Sequence, residues 1–234
     1  MHPDLERLRD YYEARERQPR LAQRYALTNP AARFLRERRV RAAADAIASI
    51  GESSSLRVLE VGCGEGGVIG EYVALGVAIA NMHGVDVLPF RVAEAHAREP
   101  EARLACADGA GLPYRDAAFD LVVQYTAVSS IRDADLRRAM AGEMVRVVRP
   151  SGAVLWHDFI FNPMNPQTVG LRKRDVRALF PDCEIAFRRI TLAPPIARRI
   201  VPLSWRLAEA LENLRIFNSH YFAVIRKKRT GTSS

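Results

Sequence analysis

Short apolar runs and stretches of helical period take turns along most of this chain. The runs fall near residues 56–61, 81–86, 102–106, 118–124 and 152–158, and the amphipathic stretches between them predict helices near 66–76, 89–98 and 134–147. That alternation predicts a parallel sheet with helices on both faces. Further on, the pattern predicts a helix near 172–180, a strand near 183–192, a helix near 203–214 and a last strand near 219–226. The first fifty residues read as helical. Leu5, Leu8 and Tyr12 recur at helical spacing and Pro19 closes that segment. Asn29-Pro30 then supplies an N-cap and a proline at the first helical position, for a helix to about Ile50 with Gly51 as its stop. The expected division is a helical extension over 1–51, one α/β domain over 52–228 and a polar tail over 229–234.

The first apolar run carries the most chemistry. Val58-Leu59-Glu60-Val61 opens into Gly62-Cys63-Gly64-Glu65-Gly66-Gly67. Glycine admits positive φ and close approach of backbone to a ligand, so this loop suits a nucleotide-like cofactor. Gly62, Gly64 and Gly67 match a G-x-G-x-x-G pattern that dinucleotide enzymes share. Glu60 tips the balance, because a carboxylate there repels pyrophosphate and attracts a cationic or amine-bearing cofactor. Met82-His83-Gly84-Val85-Asp86-Val87 reads as a second strand ending in an acid 24 residues after Gly62, where a nucleotide fold binds a ribose diol.

Composition narrows the class without changing it. A chain of 234 residues with 48% hydrophobic content can bury a full core. No apolar run approaches the ~20 residues that span a bilayer, and the Arg- and Asp/Glu-dense N-terminus lacks the apolar core of a secretory signal. Cys63, Cys106 and Cys183 have neither disulfide nor zinc spacing. A cytoplasmic protein with free thiols is expected. The net charge of +8 comes almost wholly from arginine, since Lys173, Lys227 and Lys228 are its lysines. The arginines are spread out and no RNA-binding module accompanies them, so solvated helix faces are favoured over a nucleic-acid partner.

Two more blocks complete a set. Ala105-Cys106-Ala107-Asp108-Gly109-Ala110-Gly111-Leu112-Pro113-Tyr114 leads into Phe119-Asp120-Leu121-Val122-Val123-Gln124. Val147-Val148-Arg149-Pro150-Ser151-Gly152-Ala153-Val154-Leu155-Trp156 then reads as helix end, turn and strand. In this order the four blocks resemble the class I S-adenosylmethionine-dependent methyltransferases, over roughly residues 56–160. The resemblance implies a Rossmann-like seven-stranded sheet, mostly parallel with an antiparallel last strand, behind an N-terminal helical lid. It also implies S-adenosylmethionine as cofactor, leaving as S-adenosylhomocysteine. Glu60 would face the ammonium group or position the loop, and Gly62, Cys63 and Gly64 would line the methionine part. Asp86 with Val87 would bind the ribose, Asp108 with Gly109 the adenine, and Gln124 the amino-acid end of the cofactor or the acceptor.

For catalysis the expectation is alignment of acceptor and methyl carbon, with His157 as general base at the end of the fifth strand. Tyr25, Tyr125, Asp158 and Asn162 are acceptor-side candidates; Tyr11, Tyr12 and Arg24 belong to the lid, where the tyrosines also suit helix packing. The fourth strand ends in Gln124-Tyr125 and Asp158 is followed by Phe159, so the carboxylates of the metal-dependent branch are missing and no metal is expected. No Asn-Pro-Pro-Tyr-like signature follows the fourth strand, which disfavours nucleic-acid bases. The segments around Asn162-Pro163-Met164-Asn165-Pro166, Leu179-Phe180-Pro181 and Leu192-Ala193-Pro194-Pro195 are similar to methyltransferase-like proteins found with bacterial polysaccharide or secondary-metabolite genes. Oxygen methylation of a small molecule or glycan leads, with N-methylation of an amine behind it. Ile196, Ile200, Leu203, Leu207, Leu211 and Leu214 form an apolar stripe at helical spacing among arginines. It suits packing on the sheet, a homodimer contact, or an interfacial helix serving a lipid-linked acceptor. A non-catalytic binding protein on the same fold is the remaining alternative.

Overall fold

In the computed structural model, residues 2–16, 28–162 and 165–228 are described. Strands β1 (Val58–Val61), β2 (Met82–Asp86), β3 (Arg103–Cys106), β4 (Phe119–Tyr125), β5 (Val148–Phe159), β6 (Cys183–Leu192) and β7 (Asn218–Lys227) form one sheet in the order β3-β2-β1-β4-β5-β7-β6. The first five pair in parallel, and β7 inserts antiparallel between β5 and β6. Helices α1 (Pro3–Glu16), α2 (Pro30–Ala48), α3 (Gly67–Ala74), α4 (Pro89–Arg98), α5 (Ala134–Val147), α6 (Lys173–Leu179), α7 (Pro194–Ile200) and α8 (Trp205–Asn213) surround it.

Local chemistry explains the boundaries. The Asn29 side chain accepts hydrogen bonds from the Ala31 and Ala32 amides at 3.0 and 3.4 Å, with Pro30 opening α2. Asp133 caps α5 by accepting from the Leu136 amide at 2.8 Å. Helix α2 stops at Ala48 with Ser49 as its cap, slightly short of the Gly51 stop expected. Two further expectations need correction. The turn placed at Pro150–Gly152 is part of β5, which follows α5 directly and absorbs a register shift opposite Phe119–Leu121. The apolar stripe 196–214 is not one helix, because Val201–Leu203 turn the chain and Ser204 recaps it through the Leu207 amide at 3.2 Å.

The sheet divides the core by strand alternation. One face carries Leu59, Val61, Val122, Val154 and Trp156 against Met140 and Met144 of α5. Leu5 and Leu8 of α1 join this side. The other face carries Val58, Leu121, Val123 and Leu155 against Ala43 and Ile47 of α2 and Tyr72 of α3. A third cluster joins Phe34 of α2 to Ala197 of α7 and Ala208 of α8. Strands β1, β2, β4 and β5 all release their chain at the same edge, where ligands gather in open α/β sheets.

Candidate active site

The glycine loop is folded against the end of β2. The amides of Gly62 and Cys63 both donate to the Val85 carbonyl, at 2.8 and 2.9 Å. The Gly64 amide donates to Asp86 Oδ2 and the Leu88 amide to Asp86 Oδ1, each at 2.9 Å. Asp86 therefore ties its own loop to the glycine loop, while each carboxylate oxygen keeps a second acceptor position. Gly64 has φ +51°, and a Cβ there would meet nothing within 4 Å, so backbone lies open to a ligand beside Asp86. The tight positions of this loop are Gly62 (φ +78°), where a Cβ would stand 2.5 Å from Ala127, and Gly66 (φ +80°), which packs onto Ala95 of α4. Gly67, assigned the third place in the sequence motif, begins α3 and meets nothing closer than Arg98 at 3.5 Å. Cys63 has a buried side chain packed toward Gly84, and burial pushes its thiol pKa up, so only its backbone is offered at the loop.

Glu60 is buried on the α2 side of β1, and its Oε2 has no hydrogen-bond partner in the structure. Desolvation first, and the nearby Glu71 second, hold its carboxyl well above the ordinary range. Glu71 itself is satisfied by Arg36 at 3.0 Å and by Arg39. Glu60 is thus a carboxyl short of a cation at the root of the glycine loop. Asp108 follows β3 and is half-buried; its Oδ1 accepts from the Ala110 amide at 2.9 Å and shapes the loop. Gly109 is hemmed in by Val61 and Met140, each 3.2 Å from where a Cβ would stand. Val87 is half-buried between Asp86 and Leu88 and packs on the α5-side core.

Helix α1 reaches this edge too, through contacts the sequence did not reveal. Asp4 accepts from the Asp133 amide at 3.0 Å and Arg7 donates to the Ser130 carbonyl at 2.7 Å. These bonds hold Tyr12 where it feels the charges of Arg15, Arg91 and Asp86, with the Arg91 guanidinium 5.0 Å from its ring centre. Burial raises the Tyr12 hydroxyl pKa. Tyr11 meets Tyr12 edge-on at 5.3 Å and its hydroxyl accepts from Asn165 at 3.3 Å. Arg24 and Tyr25 lie outside the described residues.

Four sequence assignments do not survive the geometry. Gln124 is 0% exposed: its Nε2 donates to Asp158 at 3.3 Å and its Oε1 accepts from the Ala127 and Val128 amides. It braces the loop after β4 and offers no atom to a ligand. Asp158 is buried beside it, accepting from the Ser129 amide at 3.0 Å, and desolvation lifts its pKa to about 6. Tyr125 is buried, with its hydroxyl 2.8 Å from that of Tyr72 and Arg39 over its ring. His157 is 3% exposed, hydrogen-bonded through Nε2 to Thr191 at 2.9 Å and stacked on His220 at 4.6 Å. Desolvation, then His220, pushes its pKa well below 6.5. Alternation along β5 sends this ring toward the α2 face, where its burial and its bond to Thr191 speak against a general-base role. Asn162 does remain at the edge after β5, half-buried and donating to Thr168 at 3.1 Å.

Residues 58–152 match the family model described as a methyltransferase domain. Over that stretch the chain is similar to methyltransferases. Among curated relatives, a ubiquinone biosynthesis O-methyltransferase of Azorhizobium caulinodans is 35% identical over 127 residues, covering 52% of this chain and 47% of the relative. A norajmaline N-methyltransferase of Rauvolfia serpentina is 26% identical over 133 residues, covering 54% and 44%. The chain spans about half the length of the curated relatives it matches. Among solved structures, magnesium protoporphyrin IX methyltransferase from Synechocystis PCC 6803 with bound SAM aligns over 97% of this chain and 99% of its own, at TM-score 0.65 and 16% identity. The [4+2]-cyclase SpnF aligns over 80% and 81%, at TM-score 0.59 and 19% identity. One fold therefore carries both titles, and the acceptor chemistry has to be argued from the site.

Proposed function

We propose that this protein transfers a methyl group from S-adenosylmethionine to a small-molecule acceptor, with an acidic hydroxyl oxygen as the leading target. The observation that carries the reading is the open backbone at Gly64 beside Asp86, a cradle that a Cβ would fill. The unpartnered Glu60 oxygen adds a place where a buried cation would be welcome. Asp86 has acceptor capacity left for a ribose diol, Asp108 keeps its Oδ2 for an exocyclic amine, and Tyr12 roofs the region from α1.

When bound, S-adenosylmethionine supplies an electrophilic methyl on a sulfonium leaving group, so the protein's share is mostly alignment. Such orientation is worth ~7–11 kcal/mol in well-placed systems. With His157 and Asp158 buried, neither is offered to the acceptor, and this reading routes the acceptor proton to solvent. That favours a phenol-like hydroxyl, or an amine that sheds its proton after transfer, over an unactivated alcohol or sugar hydroxyl. Among the described residues, β4 ends in Gln124 and Tyr125 without a carboxylate and Asp158 near the end of β5 is buried, which supports a metal-independent reading.

Calorimetric titration tests the reading. S-adenosylmethionine and S-adenosylhomocysteine should bind and NAD should not. Asp86→Ala removes charge-assisted bonds worth ~1.5–3 kcal/mol each and should weaken binding accordingly. Undiminished affinity in a folded Asp86→Ala protein would overturn the ribose assignment. Product masses from a panel of phenols, amines and sugars then decide the acceptor.

A further inference from the structure

Between β6 and β7 the chain leaves and re-enters the sheet at one edge, with Leu192 paired to Asn218. This is the edge at which β5 ends, since Phe159 pairs with His220 of β7. Helices α7 and α8 fill the excursion. Their inner sides are accounted for: Ala197, Val201 and Ala208 pack on Phe34, and Glu209 and Glu212 both pair with Arg38 of α2. Those two glutamates are the acidic residues of the stretch 198–217.

The outer side has the opposite character. Leu203 is 81% exposed, Leu214 60% and Ile216 65%, with Leu207 and Phe217 exposed beside them. Leu207 lies on α8, with Leu203 in the turn before it and Leu214 at its C-cap. Arg198, Arg199, Arg206 and Arg215 are all exposed around it. Arg215 also takes φ +60° just beyond α8, a position where glycine is the ordinary occupant, and so keeps a cation at the rim.

We propose that this face of α7–α8 docks on an anionic membrane surface, with the leucines and Ile216 in the acyl boundary and the arginines against the headgroups. Charge selects this occupant. A second copy meeting the face across a two-fold axis would set arginine against arginine, whereas an anionic leaflet complements all four arginines. The chain's net charge of +8 strengthens the attraction. Docking places the open edge of the sheet toward the bilayer, within reach of amphipathic acceptors held at the interface. That last clause rests on the methyltransferase reading; the docking does not.

Sedimentation with vesicles tests it without cofactor or acceptor. The full chain should pellet with phosphatidylcholine vesicles containing phosphatidylglycerol, less so at high salt, and hardly with phosphatidylcholine alone. Leu203→Ser combined with Leu214→Ser removes apolar area that is already solvent-exposed and should weaken partitioning at least about tenfold. Arg199→Glu combined with Arg206→Glu should abolish it, with circular dichroism and S-adenosylmethionine affinity unchanged in both. No vesicle binding, or binding that ignores these changes, overturns the proposal. Light scattering that shows the leucine variant turning a dimer into a monomer would instead assign the face to a second copy.

Discussion

Glu60 shows how one buried group can report on a ligand. Its carboxyl holds a proton more firmly than usual because it is desolvated and lies near Glu71. A bound ammonium would favour the charged form, so cofactor binding should release that proton and tighten as pH rises above the ordinary carboxylate range. Glu60→Gln should flatten this dependence; a calorimetric profile as steep as the wild type would exclude Glu60 as the cation's partner. His157 gives the converse lesson. A histidine at a strand's carboxyl end reads as a base in the sequence, yet strand alternation turned it into the interior. His157→Asn should leave turnover within about tenfold of the parent, well below the ~10²–10⁴-fold loss expected of a general base. Its cost should fall on stability, roughly 1–3 kcal/mol for disturbing the pairing with Thr191, measured by denaturant titration.

Among elements, α1 gains its place from polar ties to the loop after β4. Asp4 accepts from the amides of Arg132 and Asp133, and the Arg7 guanidinium helps hold its carboxyl below the usual range although burial pulls the other way. Asp4→Ala should loosen α1, so that limited proteolysis cuts within residues 3–16 faster while the sheet stays resistant. Equal cleavage rates would show that Leu5 and Leu8 suffice to dock the helix. None of this was legible beforehand, because Asp4 and Arg7 look like surface charges on an arginine-rich helix. The strands were legible, since fully buried parallel strands read as apolar runs. The break between α7 and α8 was not, because Leu203 and Leu207 keep a helical period straight through it.

Across the whole molecule, the two stacked histidines set a sensitivity to acid. Burial depresses His220 to about 3 and His157 well below 6.5, so each stays neutral in the fold while the unfolded chain titrates near 6.5. Below pH 6.5 the unfolded state then binds more protons, and stability falls as pH drops toward about 3. Asp158 acts in the other direction: its raised pKa of about 6 gives the native state the extra proton between roughly 3.8 and 6. Glu60 and Asp86, also raised by burial, act with Asp158 and offset part of the histidines' effect, while His220 alone contributes a slope of about 1.4 kcal/mol per pH unit. The stability difference between the parent and His220→Asn should narrow from pH 6.5 to 4.5; a constant gap would mean that the ring takes up protons in the fold.

By itself the sequence determined the alternation of strands and helices, the glycine loop between β1 and α3, and the acids that end β2 and follow β3. These features are local: a period, a cap or a turn is set by neighbours within a few residues. Tertiary structure decided which polar groups face a ligand and which face the core. Gln124, Tyr125, His157 and Asp158 all stand at carboxyl ends of strands, where sequence order promises function. Their partners Ala127, Tyr72, Thr191 and Ser129 come from other elements or from the loop's fold, and those contacts close them off from the edge. The same holds for Arg38, which draws Glu209 and Glu212 inward and leaves the outer side of α7–α8 apolar and cationic. Side-chain direction and long-range pairing are set only when the sheet has closed, and no period along the chain encodes them.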